Sequence, residues 1–165
     1  MTPWTWYRNF QRRSRRRSVI SALLSESERD PAALGRWLDE RLEQGEQTEI
    51  EALFEELPDP SALPAACYTD LIEASYRASL FEQGLRLAEA WQSHEPDSPR
   101  PLNQAARLHS MAGRFEQAHE LHRIALGMGT GSGESAYQFG CTLLRENRFH
   151  EAEDAFRQAL AQDPR

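Results

Sequence analysis

The sequence predicts an all-α protein built of four consecutive helical hairpins, and three observations predict it. Apolar and small residues recur with a period of 34. Within each unit they stand three, four and seven residues apart, which lays them along one stripe of a helix instead of alternating as in a strand. The same period collects Gly45, Ser79, Gly113 and Asn147 into one column of turn-forming residues. Glycine and asparagine tolerate the left-handed backbone that commonly ends a helix, so this column is the expected bend between the two helices of each hairpin.

The elements follow in order. Asp30 can cap a helix whose first residue is Pro31. The first helices of the four units supply the columns Leu34, Tyr68, Leu102 and Ala136; Trp37, Leu71, Ala105 and Phe139; and Leu38, Ile72, Ala106 and Gly140. The second helices supply Ile50, Gly84, Ala118 and Ala152; Phe54, Ala88, His122 and Phe156; and Leu57, Trp91, Ala125 and Ala159. His122 is the one polar member and is expected to be a hydrogen-bonded packing histidine. Pro58, Pro60 and Pro64 separate the first hairpin from the second. Phe81, Phe115 and Phe149 follow the bend by two residues and are expected to pack beneath it, where the more divergent first unit has Gln47. The last helix, about Arg148 to Gln162, turns Ala152, Ala155, Phe156 and Ala159 inward and His150, Glu151, Asp154 and Arg157 outward.

These columns resemble the tetratricopeptide-repeat (TPR) family, whose unit reads W-x2-L-G-x2-Y, then A-x3-F, then P over about 34 residues. The last unit fits best, with Ala136, Phe139, Gly140, Leu143, Ala152, Phe156, Ala159 and Pro164 at the family spacings. The third has Leu102, Ala105, Ala106, His109, Ala118, His122 and Ala125, and the second Tyr68, Leu71, Ile72, Gly84, Ala88, Trp91 and Pro96. The resemblance covers residues 31–165. It implies a right-handed superhelical solenoid of antiparallel helix pairs, a non-enzymatic scaffold or adaptor that holds a peptide or protein in a concave groove lined by the first helices. By register that lining is Thr69, Glu73, Tyr76 and Arg77; Arg100, Asn103, Arg107, Ser110 and Met111; and Tyr137, Cys141, Leu144 and Arg145. Arginine forks, amides and tyrosine hydroxyls suit an extended peptide with acidic side chains. The lysines that the family uses to clamp chaperone tails are missing, for all 19 basic residues are arginine. The chain is also similar in size, acidity and repeat content to bacterial chaperones of type III translocators, which usually continue with helix beyond the last repeat; a secretion-type chaperone or membrane-associated assembly factor is the alternative.

Composition bounds the rest. At 165 residues and 39% hydrophobic the chain makes one domain, and no apolar run approaches the 18 residues of a membrane span. Two cysteines 74 residues apart, Cys67 and Cys141, fit free thiols in a reducing cytoplasm. The net charge of −7 divides into +6 from the arginines before the first acid and −13 for the remainder. Residues 1–30 form a basic arm, expected to be partly disordered or helical, in which Trp4, Trp6, Tyr7 and Phe10 mix with Arg8, Arg12, Arg13, Arg15, Arg16 and Arg17, a composition that suits an anionic membrane surface or an import peptide, or else a tail loosely docked on the first hairpin. The acidic body argues against nucleic acid. Glu116, His119 and His122 have Glu-x-x-His spacing but no second copy, so no metal site is expected. The glycine-rich run Gly127–Gly133 lacks the preceding strand and the Gly-Lys-Ser/Thr of a phosphate loop and reads as a linker. No cofactor and no catalytic constellation emerge. The repeats end with the sequence at Pro164 and Arg165, so the seam between the last two helices is expected to self-associate, to dock on a partner, or to continue in a longer protein.

Overall fold

A computed structural model describes residues 20–26, 29–30, 32–129 and 131–163. The aromatics of the arm and its arginines from Arg8 to Arg17, with Pro31, Pro164 and Arg165, lie outside them. The described residues form helices, turns and loops, with no strand among them. Beyond a helical stretch at 20–26, the helices are α1 (Ala32–Glu43), α2 (Gln47–Glu56), α3 (Cys67–Arg77), α4 (Phe81–His94), α5 (Arg100–Met111), α6 (Phe115–Gly127), α7 (Ser132–Arg145) and α8 (Phe149–Gln162), with a 3-10 turn at Pro60–Ala62. The chain divides into two compact units, Met1–Leu80 and Phe81–Arg165.

In the first unit α1 packs on both α2 and α3. Asp30 caps α1 as expected, its Oδ1 accepting from the Ala32 N–H at 3.1 Å. Leu34, Leu38, Ile50, Leu53, Tyr68, Leu71 and Ile72 are buried, each large side chain contributing roughly 1.5–3 kcal/mol by leaving water. Helices α1 and α3 approach closely at Gly35, where a Cβ would lie 2.9 Å from the Asp70 carboxylate. Arg41 bridges α1 to the start of α2 through Glu46 and Glu49, at 3.1 and 3.0 Å. The proline-rich connection is ordered by local bonds: the Asp59 carboxylate accepts from Ser61 N–H at 2.9 Å, and the buried Tyr68 donates its hydroxyl to the Pro60 carbonyl at 2.7 Å. Residues 20–26 are helical, with Ile20 buried, and border a depression of about 350 Å³ with Pro58 and Pro64.

All four bend residues adopt the left-handed backbone, with φ of 71° at Gly45, 59° at Ser79, 75° at Gly113 and 61° at Asn147. Each bend closes with the same two hydrogen bonds. The bend residue donates back to Leu42, Tyr76, Ser110 or Leu144, and its successor donates to Arg41, Ser75, His109 or Leu143, the latter at 3.0, 2.8, 2.8 and 2.9 Å. This pair of bonds satisfies carbonyls that the helix end leaves open, and the left-handed residue ends the helix. The 34-residue period of the sequence is therefore a period of the backbone.

In the second unit α4 packs on α5, α5 on α6, α6 on α7 and α7 on α8, and the two first helices α5 and α7 also touch. Ala106, Leu108, Ala118, Ala125, Ala136, Leu143 and Ala152 are almost completely buried. Between hairpins, Gly129 and Gly131 turn the chain with φ of 74° and 60°, consistent with a linker. Two expectations need correction. Phe149 does not pack beneath its bend but is 61% exposed, whereas Phe81 and Phe115 are half-buried. Phe156 is half-buried against the core of the last hairpin, like its column mate Phe54, whereas Ala88 and His122 of the same column are buried. Both residues belong to the final hairpin, where no described helix follows to cover them.

Candidate protein-binding faces

The predicted lining residues fall in both units, and each unit presents its own face. In the first, Thr69 is exposed and Glu73 and Tyr76 are half-buried along α3. Arg77 is exposed but reaches back to Asp39 of α1 at 2.5 Å. Burial, and then the charge of Asp39, push the Asp70 carboxyl above its ordinary pKa, so the cleft between α1 and α3 is acidic and narrow.

In the second unit Arg100 is exposed and lies over the Trp91 ring at 5.5 Å. Asn103 departs from expectation. It is 4% exposed and its amide donates to the Ser135 hydroxyl of α7 at 2.9 Å, so it fastens two hairpins instead of lining an open face. Ser110 is buried as well. The accessible part of the α5 stripe narrows to Arg100, Arg107 and Met111, the last two half-buried. On α7, Tyr137 is half exposed, Cys141 is intermediate, and Leu144 and Arg145 are exposed. Tyr137 leans toward α8, its ring 5.7 Å from that of Phe156. The Cys141 sulfur beside it, by charge and by hydrogen bond, raises the Tyr137 hydroxyl above its ordinary pKa.

The seam between α6 and α7 is closed by polar side chains. His122 is fully buried with Nε2 2.9 Å from Thr142 Oγ1, the hydrogen-bonded packing histidine that its column predicts. Burial, and then the nearby His119, push its pKa down to about 4, so it is neutral at physiological pH. His119 stands 3.0 Å from Glu146 and edge-on to the Phe139 ring. Arg148 joins Glu146 and Glu151 at 3.1 and 2.6 Å, and these hydrogen bonds, Glu151 first, hold its guanidinium firmly charged. Among the described residues no three His, Cys, Asp or Glu side chains gather as a metal site, and no helix is long and apolar enough to cross a membrane.

Residue-by-residue reading anticipates an open seam between α7 and α8 but misses how apolar that outer face is. Tyr137 at 50% exposure, Leu144 at 43%, Phe149 at 61% and Leu160 at 61% are four of the five large exposed hydrophobic residues among the described ones; the fifth, Ile124, is on α6. Phe149, Phe156 and Leu160 share one stripe of α8, seven and four residues apart, and the Phe156 ring lies where a Cβ on Gly140 of α7 would sit, at 2.6 Å. Comparing columns across units would have found this face, because the residues one period earlier, Asn103, Ser110, Phe115, His122 and Leu126, are buried or half-buried.

The described residues thus define an all-helical protein with accessible faces on its first helices and on its last hairpin. No protein-family model and no curated protein matches the chain.

Proposed function

We propose that this chain is a non-enzymatic protein-interaction scaffold of the tetratricopeptide-repeat type, a solenoid of antiparallel helix pairs that receives an extended acidic peptide along α5 of its second unit. The observation that carries this reading is the set of four left-handed bends spaced by 34 residues and closed by the same pair of hydrogen bonds, which supports the family resemblance where sequence columns alone are degenerate. The chemistry of the ligand rests on α5, whose accessible stripe offers Arg100, Arg107 and the thioether of Met111. Arginine suits a carboxylate through paired N–H donors, and methionine adapts to varied apolar side chains.

Selection of a random peptide library on the full chain tests this. Acidic peptides are expected to be enriched, and Arg107→Glu is expected to weaken each selected peptide at least about tenfold, an interaction of about 1.4 kcal/mol, without changing helicity. Failure to enrich any peptide, or binding indifferent to Arg107→Glu, would remove the groove from this reading.

A further inference from the structure

The final hairpin repeats the backbone of the one before it and inverts its chemistry. One period earlier, Asn103 and His122 are buried and bond to Ser135 and Thr142 of the helix seated on them, α7. Their counterparts are Tyr137 and Phe156; those of Ser110, Phe115 and Leu126 are Leu144, Phe149 and Leu160. A seam left to solvent would be expected to carry polar side chains. This one carries aromatic and branched apolar groups, while α8 already has a solvated side in His150, Glu151, Asp154 and Arg157, all exposed. Single exposed apolar residues are ordinary, but a contiguous set on one face marks an interaction site.

The charges beside the patch indicate its occupant. Along α7 the stripe runs from Glu134 through Tyr137, Cys141 and Leu144 to Arg145, acidic at its start and basic at its end, with Glu134 and Arg145 both exposed. No described residue forms an ion pair with Arg145. A parallel copy of this stripe would oppose like charges. An antiparallel copy, turned about a twofold axis near Cys141, brings Tyr137 against Leu144 and Glu134 against Arg145, twice over. Such self-complementarity is what an isologous interface requires.

We propose that the outer face of α7 and α8 is a homodimer interface, at which a second copy of this chain packs its own α7 antiparallel to the first. Tyr137, Leu144, Phe149, Phe156 and Leu160 form the apolar centre, and Glu134 with Arg145 of the second copy fixes the direction. Arg100, Arg107 and Met111 of α5 are not part of this contact, so the dimer stands or falls independently of peptide binding.

Sedimentation equilibrium of the full chain, from low micromolar to several hundred micromolar, tests it. The wild type is expected to be a concentration-dependent dimer. Leu160→Glu, at a surface position, is expected to weaken association at least about tenfold while circular dichroism and melting of the dilute protein stay unchanged. The charge exchange is specific to a second copy: Glu134→Arg and Arg145→Glu should each weaken the dimer, and the double variant should restore it. A wild type that stays monomeric throughout, a dimer indifferent to Leu160→Glu, or a double variant no better than the single ones overturns the proposal. Binding of an unrelated protein to this face by a chain that stays monomeric would likewise overturn it.

Discussion

The seams that follow the third and fourth hairpins share one backbone register and differ in almost everything else. Where α7 covers α5 and α6, the buried positions hold Asn103, Ser110 and His122, and the first and last of these are matched to hydroxyls on the covering helix. Where no described helix covers α7 and α8, the same positions hold Tyr137, Leu144 and Phe156. A buried amide or imidazole is stable only when paired, so polar side chains in a covered seam specify which helix sits there and in what register. Apolar side chains in an open seam specify less and attract more. The comparison therefore separates a junction built for one intramolecular partner from a surface suited to an intermolecular one.

The largest expected effect sets core against rim within the last hairpin. Leu143 is 1% exposed and packs with Ala152, Ala155, Phe139 and Phe156, so Leu143→Ala should cost about 2–5 kcal/mol in a denaturant titration. Leu160→Ala, at 61% exposure, should cost the dilute protein less than about 1 kcal/mol. Equal losses would mean that the two positions do not differ as described.

Acid acts on the covered seam through His122. His122 titrates near its ordinary pKa of 6.5 when unfolded and at about 4 when folded, so the unfolded chain takes up the proton first. Its contribution is fully present above pH 6.5 and is lost as pH falls from there toward 4, a change of roughly 3 kcal/mol. Unfolding free energies of the wild type and His122→Gln across this window should converge toward acid; a constant difference would contradict the buried neutral ring.

A third contrast concerns the paired amide. Asn103→Ala leaves the buried Ser135 hydroxyl without its donor and should cost about 1–3 kcal/mol, whereas Tyr137→Ala, one period later on an open face, should be nearly neutral in the dilute protein. Thermal melts of the two variants at low concentration check the order. The smallest effect is at the bends. Ser79 holds φ of 59°, a conformation that a side chain resists, so Ser79→Gly should raise stability by about 0.5–1 kcal/mol, while Gly113→Ser, at φ of 75°, should lower it by a similar amount.

Much of the fold was legible because helical periodicity and turn chemistry are local. The period of 34 located all four bends, including Ser79, whose residue type is the weakest of the four signals. The apolar columns are buried or half-buried throughout the described residues. What could not be read one helix at a time was which neighbour each stripe meets. Asn103 and Ser110 have the polarity of a solvated groove, but the first is buried because α7 supplies its partner, a fact of tertiary packing. Phe156 has the residue type of a core column and packs on Leu143, Ala152 and Ala155 while staying half-buried, as Phe54 does in the same column. The same reasoning explains Phe149, which repeats Phe115 in sequence without repeating its surroundings.

Hydroxyl-radical footprinting of the wild-type chain, at one concentration below and one well above the association range, tests most directly the claim that the open seam is a self-complementary interface. Phe149 and Leu160 should be modified in the dilute sample and protected in the concentrated one. Leu108, buried in the second unit, should be protected in both, and Ile124, exposed on α6, should be modified in both. Equal modification of Phe149, Leu160 and Ile124 at the two concentrations would contradict the account.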